Sequence, residues 1–94
     1  MKYIVAYDIS EDKRRNKLSA LLDKYGIRVQ YSLYEIELNQ TKIKQLISDI
    51  KEQQLYDKNI DSIRFYYIHE STLKNSFELS KKRFNPFEEQ KLYI

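Results

Sequence analysis

Asp8 is the residue whose type and position most ask for a chemical explanation. It lies near the end of segment 2–9 (KYIVAYDI), whose β-branched and aromatic content reads as a strand. In an extended chain Ile4, Ala6 and Asp8 point to one face, and Tyr3, Val5, Tyr7 and Ile9 to the other. A carboxylate there fits two roles. It can serve as an Asx-turn or helix-entry acid, or as an oxygen ligand for a hard divalent cation if a second carboxylate approaches. Two carboxylates at close range resist joint ionisation, and a divalent cation relieves that repulsion. Such an ion could activate water against a phosphodiester. Arg14 and Arg15 follow shortly and could clamp a phosphate and stabilise developing charge.

The bases extend further. Lys13, Arg14, Arg15, Lys17, Lys24 and Arg28 face only one acid, Asp23, over positions 13–28, although the whole chain carries a net charge of only +3. A concentration of that kind suits either a solvated helix face or a polyanion partner.

Other chemistries are excluded by composition. The absence of cysteine removes disulfides, thiolate catalysis and Cys-based metal sites. His69 is the only histidine, so multi-histidine metal sites are excluded; beside Glu70 it reads as a surface residue. One glycine cannot build a phosphate-cradling glycine-rich loop, and no HExxH or EF-hand spacing occurs. The apolar run 3–7 is far too short for a membrane span or a signal core. These absences fit an intracellular protein, read as bacterial or archaeal in type and cytoplasmic, not membrane-bound; they would fit a eukaryotic cytosol equally.

The elements that must position Asp8 and the bases follow from hydrophobic periodicity. Ser10, Glu11 and Asp12 supply an N-cap and early negative charge for a helix over about 12–25, with Leu18, Leu21, Leu22 and Tyr25 as its apolar stripe. Gly26, the only glycine, stands where that helix would need a left-handed residue after its last turn. Segment 27–38 is β-rich with a slipped alternation. Ile27, Val29, Tyr31 and Leu33 share one phase, and Tyr34, Ile36 and Leu38 the other, which predicts two short strands joined by a tight turn near 31–33. Asn39 or Thr41 caps the next helix, whose stripe is Ile43, Leu46, Ile47 and Ile50. The polar stretch 51–59 leads to a fourth strand over 61–68.

The order β-α-β-β-α-β is the ferredoxin-like α+β arrangement, an antiparallel sheet with both helices on one face. The other face, carrying Ile4 and Ala6, has no helix to cover it, and pairing with a second copy across a two-fold axis is the simplest remedy. A chain of 94 residues suits one domain with a marginal core, which pairing would help. The core is expected over about 1–69, with a dimer- or partner-docking tail over about 70–94. Pro86 argues against one long helix in that tail, and 90–94 reads as a short fifth strand.

Several runs together resemble the CRISPR-associated "Cas-two" family. They are Tyr7-Asp8-Ile9-Ser10, the basic Arg14-Arg15, the segment Gly26-Ile27-Arg28-Val29-Gln30-Tyr31-Ser32-Leu33-Tyr34-Glu35, and Asp61-Ser62-Ile63-Arg64. The resemblance covers nearly all of 2–68. It implies a ferredoxin-like homodimer in which Asp8 is the catalytic residue and holds a magnesium or manganese ion at the dimer axis. It also implies metal-dependent endonuclease activity on single-stranded RNA or on DNA, and the bridging of an integrase during spacer acquisition. Arg14, Arg15, Lys17 and Arg28 would then contact nucleic acid, with Tyr7, Ser32 and Tyr34 in support. Lys17 replaces an arginine often found there, and lysine lacks the bidentate fork. Tyr34 stands where phenylalanine is usual. Two alternatives stay open: a non-catalytic DNA-binding clamp, and a stand-alone ribonuclease toxin of the virulence-associated family that shares this fold.

Overall fold

Alternation along the first segment decides which side of the sheet becomes the core. In the computed structural model, which describes residues 1–87, β1 (Lys2–Asp8) buries Val5 and Tyr7, with Ile9 just beyond it, and turns Ile4, Ala6 and Asp8 the other way. The remaining elements are α1 (Asp12–Asp23), β2 (Gly26–Gln30), β3 (Leu33–Glu37), α2 (Gln40–Glu52), β4 (Ser62–Ile68) and the short α3 (Glu70–Lys74). The strands lie in the order β2-β3-β1-β4 with every pair antiparallel, so the expected ferredoxin-like α+β arrangement is present.

Both long helices pack on one face. Leu18, Leu21 and Leu22 of α1 and Ile43, Leu46 and Ile50 of α2 meet Val5, Tyr7, Tyr34 and Ile36, and Leu55 closes the core. The slipped alternation resolves as predicted. β2 and β3 form a hairpin with Tyr31 and Ser32 at its tip, and the register shifts between Arg28 and Gln30. Ile27 pairs with Glu35 while Tyr34 and Ile36 enter the core, so the two apolar phases serve opposite faces of the sheet. Asn39, not Thr41, caps α2: its side chain accepts a 2.8 Å hydrogen bond from the Lys42 N–H.

Several boundaries differ from expectation. The first helix stops at Asp23, its N-cap is Glu11, and no side chain caps it. Gly26 does not hold the left-handed position. Helix α1 ends on Lys24 in right-handed geometry, and Gly26 opens β2 without a positive φ. The reason for a glycine is crowding. A Cβ at Gly26 would lie 2.3 Å from the Glu35 carbonyl oxygen and 2.3 Å from Ile36 Cγ2. The left-handed position is taken at the end of α2 instead, by Gln54 (φ 53°). There Gln54 N–H bonds the Lys51 carbonyl (3.1 Å) and Leu55 N–H the Ile50 carbonyl (3.2 Å). This pair of bonds is a Schellman motif, with Leu55 tucked into the core.

The open sheet face is less bare than the sequence suggests. The chain after α3 returns across its β2–β3 side, where Phe87 is 2% exposed and its N–H donates to Glu35 Oε1 at 3.1 Å. Burial pushes the Glu35 carboxyl pKa up, against the lowering effect of that hydrogen bond. Ile4, Ala6, Asp8, Arg64 and Tyr66 remain on the β1–β4 side. The fifth strand expected over 90–94 lies outside the described residues.

Candidate metal and nucleic-acid site

Asp8 closes β1 opposite Ser62 of β4, exposed, on the face away from the helices. Among the described residues its carboxylate makes no hydrogen bond or ion pair, and no group of three or more His, Asp or Glu side chains converges to hold a metal. At this position one chain therefore supplies one carboxylate, with no second acid beside it among the described residues. Oxygen ligation of a hard cation from this position would draw on water and on a second carboxylate from another copy.

Arg14 and Arg15 are differently placed from Asp8. Arg14 Nη2 lies 3.0 Å from Asp61 Oδ2 and Nη1 lies 3.3 Å from Glu11 Oε2. Arg15 donates to the Ile9 carbonyl at 3.0 Å and pairs with Asp12. Both guanidiniums brace the β1–α1 turn, so a phosphate would reach them as a further acceptor beside protein ones. Lys13 and Lys17, exposed on the same helix, form no ion pair with any described residue.

Arg28 belongs to a separate cluster at the β2 edge. It lies over the Tyr34 ring with 5.7 Å to the centroid and donates to Ser19 Oγ. The Tyr7 hydroxyl, then Tyr34, raise its pKa, and a guanidinium is a cation at any working pH. The Tyr34 hydroxyl, which a phenylalanine would lack, donates to Asp23 Oδ1 at 2.6 Å and contacts Ser19 Oγ at 2.9 Å. Burial is the main cause that raises its pKa. Ser32 lies at the hairpin tip, its carbonyl accepting from the Tyr7 N–H at 3.0 Å. His69 is the N-cap residue of α3, its ring edge-on to Tyr67 at 4.9 Å, remote from Asp8 in register.

The residue that sequence reasoning left without a role is Asp61. Its side chain is 0% exposed. It accepts from the Ser10 N–H (2.8 Å), Ser10 Oγ (2.9 Å), the Asp57 N–H (2.8 Å) and Arg14. The Asp57 N–H first and the Ser10 N–H next hold its pKa well below the usual carboxylate range. Asp61 thereby ties the turn that follows Asp8 to the start of β4. In the sequence it stood as the first residue of the predicted fourth strand and in a run that carries the family resemblance, with no site role attached.

A family model described as CRISPR associated protein Cas2 matches residues 1–76. The chain belongs to the Cas2 family. A CRISPR-associated endoribonuclease Cas2 of Synechocystis sp. is 42% identical over 71 residues, covering 76% of this chain and 75% of the relative. A CRISPR-associated endonuclease Cas2 of Thermus thermophilus is 42% identical over 66 residues, covering 68% and 69%. Among solved structures, Cas2 of Streptococcus pyogenes superposes with a TM-score of 0.71 at 27% identity, covering 85% of this chain and all of that one. A chain of a partial Cas6-RT-Cas1–Cas2 complex superposes with a TM-score of 0.70 at 34% identity, covering 93% and 90%. The Cas2 match spans Asp8, the basic helix, the hairpin and Asp61. No helix among the described residues is long and apolar enough to cross a membrane.

Proposed function

We propose that this chain is the small nuclease-fold subunit of CRISPR adaptation. It acts as a homodimer that binds nucleic acid, bridges a Cas1-type integrase, and cuts phosphodiester bonds with Asp8 of each copy sharing a divalent cation. The observation that carries this reading is the exposed, unengaged Asp8 carboxylate on the sheet face that the helices leave open. Its support from relatives is the nuclease names they bear and the Cas1–Cas2 complex in which one structural neighbour was solved.

Two copies pairing through the β1–β4 side would bring two Asp8 carboxylates together and cover Ile4, Ala6 and Tyr66. A magnesium or manganese ion held by these carboxylates would neutralise charge and act as a Lewis acid at a phosphodiester. The chain's own residues do the rest. Arg14 and Asp61 hold the β1–α1 turn in place behind Asp8. Lys13 and Lys17 draw the phosphate backbone, and Arg28 adds a fixed cation on the hairpin.

Asp8→Asn keeps the shape of the side chain and removes its charge. It should lower magnesium-dependent cleavage at least ~100-fold, the scale of several kcal/mol in transition-state stabilisation, while the dimer mass by light scattering is unchanged. Full cleavage by the purified variant would defeat the enzymatic reading. A second reading, a non-catalytic clamp, is favoured by the commitment of Arg14 and Arg15 to protein acceptors. It expects Asp8→Asn to bind DNA and support spacer acquisition as the parent does.

A further inference from the structure

Tyr31 stands at the tip of the β2–β3 hairpin with its ring 92% exposed, the most exposed aromatic side chain among the described residues. The backbone beneath it is held twice. The Tyr7 N–H donates to the Ser32 carbonyl at 3.0 Å, and the Tyr7 hydroxyl donates to the Tyr31 carbonyl at 3.0 Å. Tyr7 precedes Asp8, and Ala6 pairs with Leu33. The tip therefore runs alongside the end of β1 where Asp8 stands.

A ring left in water forgoes the gain of burial, and this one sits on a short, pinned turn. Little backbone freedom remains to be lost when something packs against it. On one side it borders a shallow surface lined by Arg28, Val29 and Gln30: a cation, an apolar side chain and an amide. An anionic ligand with a flat apolar part matches that composition. A nucleotide has both, and an unpaired base can stack on a tyrosine, whereas a base inside a duplex is already stacked on its neighbours.

Building on the nucleic-acid reading above, we propose that Tyr31 is a stacking platform for an unpaired base of single-stranded nucleic acid. It would position that strand beside Asp8 and bias the chain toward single strands over duplex. Arg28 on the same hairpin supplies positive charge for the accompanying backbone.

The test is a titration of the full-length wild type, Tyr31→Ala and Tyr31→Phe with fluorescein-labelled single-stranded RNA, single-stranded DNA and a duplex of the same sequence, at one salt concentration. Tyr31→Ala should bind single strands about 5- to 150-fold more weakly, the scale of one stacked base, and bind the duplex as the parent does. Tyr31→Phe should match the parent. The RNA and DNA arms tell which strand the platform serves. Equal binding by Tyr31→Ala and the parent overturns the proposal, as does an equal weakening on single strands and duplex. Loss of the dimer in Tyr31→Ala overturns it too, by assigning the ring to the interface between copies. A Lys13→Ala/Lys17→Ala variant keeps this distinct from the underlying reading. It should weaken all three ligands, and a parent that binds none of them would sink the nucleic-acid reading and this proposal together.

Discussion

Arg14 Nη2 lies 3.0 Å from Asp61 Oδ2, an ion pair that joins the first turn of α1 to the residue just before β4. The carboxylate is fully enclosed and takes two backbone N–H donors besides the guanidinium. Asp8 stands two residues before Ser10, one of those donors, so the position of the exposed acid depends on the buried one.

The first prediction concerns this pair and its pH dependence. The folded Asp61 has a depressed pKa, so its stabilisation is present above the unfolded pKa, about 3.9, and is lost as pH falls below it. Asp61→Asn should lower the Tm by several degrees at neutral pH. Below about pH 4 the parent should lose stability more steeply than the variant. Thermal melts across that range check both parts; parallel curves would show that Asp61 is not the group responsible.

Gly26 tests close packing. Because the clashing partners include a backbone oxygen as well as Ile36 Cγ2, the neighbours cannot simply rotate away. Gly26→Ala should cost on the order of 2 kcal/mol, typical of overpacking, read as a lower denaturation midpoint at an unchanged slope.

Gln54 presents the opposite case. It holds the left-handed residue of a Schellman motif with a side chain that prefers other conformations. Gln54→Gly should stabilise the fold by about 1 kcal/mol, the usual penalty of left-handed geometry for a residue with a Cβ. A destabilised variant in the same denaturation experiment would show that the backbone is not strained there.

Lys13 and Lys17 carry the electrostatic prediction. Neither forms an ion pair with a described residue, so truncating them should leave stability within about 0.5 kcal/mol. Removing a lysine that neutralises a phosphate should flatten the slope of log affinity against log salt by about 1. A double Lys13→Ala/Lys17→Ala variant measured by anisotropy over a salt series checks this. An unchanged slope would place the nucleic acid elsewhere.

Local chemistry was sufficient for the element order. Period-two alternation marked β1 and the buried side of the sheet, and period-3.6 stripes marked α1 and α2. The phase slip between Leu33 and Tyr34 located the hairpin, and the cap candidates Asn39 and Thr41 bracketed the start of α2, which the structure gives to Asn39. The position of Asp8 was legible as well, because alternation sets it on the face opposite Val5 and Tyr7. Each of these signals is contained within a few neighbouring residues.

What only the tertiary structure decided depends on partners far apart in the chain. Arg14 meets an acid 47 positions away, and Phe87 reaches Glu35 across 52. No periodicity encodes which distant carboxylate a guanidinium will find, so the helix-start arginines read as free cations, whereas the fold sets Asp61 and the Ile9 carbonyl beside them. Gly26 belongs to the same class: its position after a helix suggested a need for left-handed geometry, whereas the approach of Glu35 and Ile36 on the neighbouring strand set the requirement. Short-range patterns are written in propensity and spacing, while the pairing of charges and the tolerance for a single Cβ are settled when separate elements come together.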